Sequence, residues 1–227
     1  MKEPHFRHEL KFIISRGQGE ILKNSLLGIM QRDSHLEGES YNIRSLYFDD
    51  MYHTCFFENE NGTDPREKFR IRIYDSDSSF IRLELKRKQN GMTEKLQCEM
   101  TAQQVESVIR GESLGNIEDL PPLMRKFELL RITRFLKPDI IVDYDRLPLV
   151  YNLGNVRVTF DMNISSSSAF DEFFDEKIPK RPILQQDMIL LEVKYDELLP
   201  DYIERIVKSQ AAQKTTFSKY YLCKKHS

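Results

Sequence analysis

Phe69, Ile71 and Ile73 alternate with Arg70 and Arg72, and further on Ile81, Leu83 and Leu85 alternate with Arg82, Glu84, Lys86 and Lys88. Side chains two apart on a strand share a face, so the pattern predicts two strands, each with one apolar and one charged face. Asp75-Ser76-Asp77-Ser78-Ser79 reads as the turn between them. Such a hairpin can be a solvated outer surface, because antiparallel sheets commonly expose one side. The same alternation recurs, however. Arg7, Glu9 and Lys11 alternate with His8, Leu10 and Phe12; Arg157 and Asp161 with Val156, Val158 and Phe160; Glu192 and Lys194 with Ile189, Leu191 and Val193. Gathered into one sheet with that face curled inward, these strands would enclose a basic tunnel suited to a polyanion with bound metal, the apolar outer face being covered by helices.

The helices are signalled by caps. Ser15 three before Gln18 and Thr101 three before Gln104 are capping boxes. The first predicts a helix carrying Ile21, Leu22, Leu26, Ile29 and Met30; the second a helix through Val105, Val108 and Ile109 that stops at Gly111. Pro121-Pro122 opens another, with Leu123, Phe127, Leu129 and Leu130 as its buried side, and Pro138 ends the stretch. A short helix and a loop are expected between Met51 and Lys68, an amphipathic helix over Pro200 to Ser209, and a docked aromatic tail at Phe217 to Tyr221. Further strands are expected over Phe6 to Ile14, Tyr41 to Asp50, Met92 to Met100, Asp139 to Arg146, Asn155 to Met162 and Met188 to Tyr195. Ser165 to Pro182, polar and acidic, reads as a loop excursion. Arg44 either faces the cavity or pairs with Asp49 or Asp50. The elements predict an α+β fold, with residues 1–227 as one domain.

Composition sharpens this picture in two ways. Charged residues make up 31% of the chain against 40% hydrophobic, as expected where charges line a cavity as well as the exterior. The formal net charge is only −2, so an anion site has to come from local clustering rather than a global field. Cys55, Cys98 and Cys223 are odd in number and lack metal-ligand spacing, which predicts a reducing, cytoplasmic setting without disulfides or a cysteine zinc site. No signal-peptide core and no apolar run of about 20 residues occurs, so a transmembrane segment is not expected, although a membrane-bound partner is allowed.

Walker loops, nucleophile elbows and zincin helices are absent, and His5, His8, His35, His53 and His226 are dispersed, reading as structural or exposed. What remains is cations and carboxylates on alternating strand positions. Phosphoryl transfer requires mainly positioning and charge stabilisation, commonly with Mg²⁺ or Mn²⁺ on the phosphate oxygens. Arg70, Arg72, Lys86, Arg157, Glu84 and Glu192 supply those parts without any histidine or serine nucleophile. Nucleic acid is not expected, since the aromatics mostly share faces with aliphatics.

From Arg7-His8-Glu9-Leu10-Lys11-Phe12 to Phe217-Ser218-Lys219-Tyr220 the chain resembles the triphosphate tunnel metalloenzymes and, within them, the VTC or polyphosphate polymerase domain. The resemblance implies an antiparallel β-barrel tunnel with helices packed outside. It implies transfer of the γ-phosphate of ATP onto polyphosphate, with Mn²⁺ or Mg²⁺ as cofactor and ATP, triphosphate or polyphosphate as ligand. By it Lys11, Arg70, Arg72 and Lys86 are the catalytic and phosphate-binding set; Tyr144, Arg146, Arg157 and Lys219 bind substrate; Glu192 and Glu84 hold the metal. Two departures bear on activity. Arg7 stands where hydrolytic members carry the first glutamate of E-x-E-x-K, favouring polymerase over triphosphatase. Thr216 stands three before Lys219, where polymerases present a second lysine, which keeps a triphosphatase or a non-catalytic polyphosphate-binding module as alternatives.

Overall fold

The computed structural model describes residues 6–34, 38–211 and 213–227; His5 and His35 therefore lie outside the described residues. In chain order the strands are β1 (His8–Ser15), β2 (Gln31–Arg32), β3 (Tyr41–Asp49), β4 (Arg66–Tyr74), β5 (Asp77–Gln89), β6 (Met92–Met100), β7 (Lys137–Tyr151), β8 (Val156–Ser167), β9 (Arg181–Pro182) and β10 (Met188–Tyr195). The helices are α1 (Arg16–Leu27), α2 (Thr54–Glu60), α3 (Ala102–Ile109), α4 (Pro122–Arg134), α5 (Asp201–Gln210) and α6 (Lys219–Lys225). The strands pair in the order β1-β10-β8-β7-β3-β4-β5-β6, every ladder antiparallel, with β2 added to β7 and β9 to β8.

The sheet curls until its edges meet. The backbone N–H of Arg7 donates to the Thr93 carbonyl at 3.0 Å and the Thr93 N–H donates back at 3.1 Å. Beyond that contact the free edge of β1 is covered by the chain's own C-terminal segment, where the Thr215 N–H donates to the Lys11 carbonyl at 2.8 Å and Phe12 pairs with Lys214. Curling removes exposed strand edges and turns one face of every strand inward.

The outer face is packed by helices in two clusters. Leu22 and Leu26 of α1 and Ile203 and Val207 of α5 bury against Phe12, Leu149, Val158 and Leu191. Val105 and Val108 of α3 and Met124 and Phe127 of α4 bury against Ile71, Ile73, Leu83 and Leu85, the apolar face read from the hairpin. Each such side chain contributes about 1.5–3 kcal/mol. A third cluster lies on the inward face, where Phe217, Tyr220 and Cys223 pack against Ile43, Val142, Tyr144 and Leu190. The C-terminal helix thus fills part of the interior, as the aromatic tail predicted.

Both capping boxes form as expected, Ser15 with Gln18 and Thr101 with Gln104. Several expectations are revised. The turn of the central hairpin is only Asp75 and Ser76, both at positive φ, because a two-residue turn of that hand matches strand twist. Helix α1 ends at Leu27, so Ile29 and Met30 follow it in a turn. Leu129 is 43% exposed, because two positions beyond Phe127 is about 200° around the helix. Pro138 sits inside β7, tolerated at a bulge against Phe48. Ser165–Ser167 continue β8, and the rest of the excursion holds Arg44. That residue is buried on the outward face opposite Asp143, its Nε 2.9 Å from the carboxylate, and its guanidinium donates to the carbonyls of Phe173 and Asp175. It therefore pairs with neither Asp49 nor Asp50 and does not face the cavity.

Candidate phosphate-binding site

The inward faces enclose a cavity of about 570 Å³ lined by residues of β1, β3, β4, β5, β6, β7 and β10, the α2–β4 loop and Thr215–Tyr221. Cross-strand register decides which charges meet. Arg70 stands opposite Glu84, Lys68 opposite Lys86, Lys11 opposite Glu192 and Glu9 opposite Lys194. Of the expected site residues, Lys11, Arg70, Arg72, Lys86, Tyr144, Arg146, Glu192 and Lys219 all line the cavity.

Arg70 and Arg72 rest on a buried foundation. Arg70 Nε and Nη2 lie 2.7 and 2.6 Å from Glu84 Oε2, Arg72 Nη1 3.9 Å from the same atom, and Lys95 Nζ 3.1 Å from Oε1. Arg70 Nη1 also donates to Tyr47 Oη at 2.8 Å, while Arg72 donates to Ser45 Oγ at 3.1 Å and Tyr144 Oη at 3.3 Å. Burial opposes ionisation of Glu84, but Arg70, Arg72 and Lys95 outweigh it and hold the carboxyl well below the usual range. Burial likewise opposes ionisation of the Tyr47 phenol, and Arg70 and Arg72 overcome it and lower its pKa.

A second network crosses β7, β8, β10 and α6. Arg146 grips Asp161 bidentately at 2.6 and 2.7 Å and reaches Glu192 at 3.4 Å. Lys219 Nζ bridges Asp161 at 2.6 Å and Glu192 at 2.7 Å, and Lys11 donates to the Phe217 carbonyl at 2.9 Å while lying 3.8 Å from Glu192. Glu192 is desolvated, yet Lys219, Lys194, Lys11 and Arg146 keep it ionised far below the ordinary carboxylate pKa. Lys86 pairs with Glu9 at 2.9 Å, and burial with Lys11 and Lys194 nearby lowers its pKa to about 8.

Two expected residues are placed differently. Glu84 does not line the cavity; it is 1% exposed beneath the arginines, and its oxygens are engaged by three cations. Arg157 is likewise not among the lining residues, because its guanidinium is held 2.9 Å from Asp33 and 3.1 Å from Tyr41 Oη. The carboxylates on the wall are instead Glu9 and Glu192, with Lys194 Nζ between them at 3.5 and 3.4 Å, and Glu60 of α2, which accepts from Tyr221 Oη at 2.9 Å. No cluster of three His, Cys, Asp or Glu side chains forms a metal cage among the described residues. Glu192 and Glu9 are hard oxygen ligands of the kind Mg²⁺ and Mn²⁺ take, and a metal there would displace cations that now hold them: Lys219, Lys194, Lys11 and Arg146 on Glu192, and Lys86 and Lys194 on Glu9.

Lys68 lines the cavity but lay outside the sequence reading, which began the strand at Phe69. Alternation with Arg70 and Arg72 was the available signal. Asn59 and Arg66 line it too, and Lys88, on the charged face of its strand, joins them.

An inward-facing cation cavity within a curled antiparallel sheet with helices outside defines a triphosphate tunnel-type fold. The chain belongs to the VTC domain family, whose model matches residues 6–225. Its fold is shared by a candidate adenylate cyclase from Bacillus halodurans, at 14% identity and a TM-score of 0.53 over 93% of this chain and 92% of that one. A candidate adenylyl cyclase from Hippeastrum, described as having a dominant triphosphatase activity, is 14% identical with a TM-score of 0.54 over 98% and 96%. The PH1819 protein of Pyrococcus horikoshii is 14% identical with a TM-score of 0.51 over 97% and 99%. No curated protein matches the chain.

Proposed function

We propose that this VTC domain, residues 1–227 acting as one unit, is a metal-dependent phosphotransferase that moves the γ-phosphate of ATP onto a growing polyphosphate chain. The observation that carries the polymer reading is the length of the cationic wall. Arg72, Arg70, Lys68 and Arg66 share one face of β4, and the six residue steps from Arg66 to Arg72 span about 20 Å. That is long for a triphosphate and suits an extended chain of phosphates. Opposite them stand Lys86 and Lys88.

Arg70, Arg72, Arg146, Lys11 and Lys219 neutralise and orient the phosphates, and Tyr144 and Tyr47 fix the arginines. Glu192, with Glu9, would hold Mn²⁺ or Mg²⁺, which when bound neutralises charge on the transferring phosphoryl group. An oxygen of the chain's terminal phosphate, already ionised, forms the new P–O bond as the bond to ADP breaks, so no side-chain base is needed. Arg157 stays bound to Asp33 and Tyr41 in the cation-lined cavity's outer surroundings and joins the phosphates only if those contacts open. Three free cysteines support a reducing, cytoplasmic location, and no helix among the described residues is long and apolar enough to cross a membrane.

Glu9 beside Glu192 favours the second reading, hydrolysis of triphosphate or nucleotides, which is also the activity attributed to the Hippeastrum protein. Incubation with ATP and Mn²⁺, separating chain lengthening from phosphate release, decides between them. Binding without turnover would identify a binding module. The double variant Arg70→Ala/Arg72→Ala should keep its circular dichroism and lose at least 100-fold in polyphosphate formation; retained activity rejects the assignment.

A further inference from the structure

Most cations of the cavity are already neutralised by a carboxylate. Arg70 and Arg72 have Glu84, Lys86 has Glu9, Arg146 has Asp161, and Lys194 and Lys219 have Glu192. Lys68 has none within ion-pair distance among the described residues. Its ammonium donates to Asn59 Oδ1 at 3.3 Å and lies 5.0 Å from the Tyr220 ring centroid.

The groups nearest Lys68 are cationic or neutral, and the carboxylate behind them, Asp49, is taken up by Tyr220 Oη and the backbone N–H groups of Cys55 and Phe56. Arg66 and Arg70 flank it on β4, Lys86 and Lys88 face it from β5, and Lys11 reaches it from β1. Asn59 and Cys55 approach from α2, and burial and nearby Asp49 push the thiol far up, so it stays neutral. Tyr220 comes from α6, and Tyr221 beyond it is bonded to Glu60.

We infer that Lys68 is a further phosphate-binding residue of the cavity and one that takes up a proton when a polyanion enters. This rests on the phosphate-binding reading of the cavity. A cation surrounded by cations, with a side-chain amide and an aromatic face as its neighbours, has room for one kind of ligand, an anion. Burial and the nearby Lys86 lower its pKa to about 7, and a phosphate oxygen at hydrogen-bond distance offsets both effects.

The test is calorimetric titration with inorganic triphosphate in the presence of a chelator, in two buffers of different ionisation enthalpy. At pH 8 the wild type should take up close to one proton more per triphosphate bound than Lys68→Arg, whose side chain is always charged, and the difference should vanish at pH 6. Lys68→Arg should bind within about threefold of wild type and Lys68→Met at least tenfold more weakly. Equal proton counts for wild type and Lys68→Arg, or undiminished binding by Lys68→Met, overturn the inference. No binding by wild type overturns the phosphate reading and this one with it. A separate readout needs no ligand: the thermal midpoint of Lys68→Met should exceed that of wild type at pH 6 and approach it at pH 9, and absence of that gain also overturns the inference.

Discussion

Glu84 sits beneath the cavity without lining it, yet Arg70 and Arg72 owe their placement to it. Its carboxylate is the shared counter-ion of Arg70, Arg72 and Lys95, and removing one member of a buried ion network leaves the others uncompensated at a cost of about 3 kcal/mol. Because burial of Glu84, Glu192 and Asp161 is outweighed by neighbouring cations, all three have depressed pKa values. Their contribution is therefore present above the unfolded carboxylate pKa of about 4 and is lost as pH falls through the lower folded values. Urea unfolding from pH 7 down to pH 2 should show a steep loss of stability below about pH 4. In Glu84→Gln the curve should start lower at pH 7 and fall less steeply; an unchanged pH slope would show that Glu84 carries no such linkage. From sequence, Glu84 had the right face, and the resemblance implied a metal ligand on the wall where the structure has a buried counter-ion beneath it. Alternation places a carboxylate on the inward side but cannot tell a wall from its foundation, because depth is set by the side chains of neighbouring strands.

At the level of elements, α6 brings Lys219 to the site and is anchored by its own next residue. Tyr220 Oη lies 2.6 Å from Asp49 and 3.0 Å from Asp139, and Lys224 lies 2.6 Å from Asp139. The Tyr221 ring stacks on Phe56 at 5.0 Å. Tyr220→Phe keeps the ring in its cluster and removes the hydrogen bonds to two carboxylates, which should lower stability by about 1–3 kcal/mol. It should also speed amide hydrogen exchange in α6 and raise the apparent KM for the phosphate donor through a displaced Lys219. Unchanged exchange in α6 would show that the helix is held by packing alone. The aromatic run Phe217 to Tyr221 was legible as a docked tail, and the capping boxes of α1 and α3 as helix starts, since both signals are local. The anchors Asp49 and Asp139 were not, because they lie more than 80 residues from Tyr220.

For the molecule as a whole, enclosure depends on a small closing contact. Arg7 and Thr93 exchange two backbone hydrogen bonds where the ends of the sheet meet, and the C-terminal segment covers the remainder of the β1 edge. Thr93→Pro removes the donor of one bond. It should cost about 1–3 kcal/mol and weaken triphosphate binding several-fold at physiological salt, with a larger effect as salt rises, because opening lets solvent screen the cations. Binding unaffected by the variant would show that closure is maintained by the C-terminal segment instead.

The alternation of apolar and charged positions by itself determined the strands, their two faces and part of the wall: Lys11, Arg70, Arg72, Lys86 and Glu192; Tyr144, Arg146 and Lys219 came from the family resemblance, and Lys219 lies on a helix. Period-two patterning records which side of a strand faces the apolar outer layer, and so leaves the charged residues for the other side. Only the tertiary structure decided the pairing of those charges. Register set Lys68 opposite Lys86 and Arg70 opposite Glu84; the curl of the sheet brought Lys86 of β5 to Glu9 of β1; and Asp33, far along the chain, drew Arg157 aside. Coulomb interactions act over a few ångströms of space, and distances of that size between residues remote in sequence exist only once the sheet has closed.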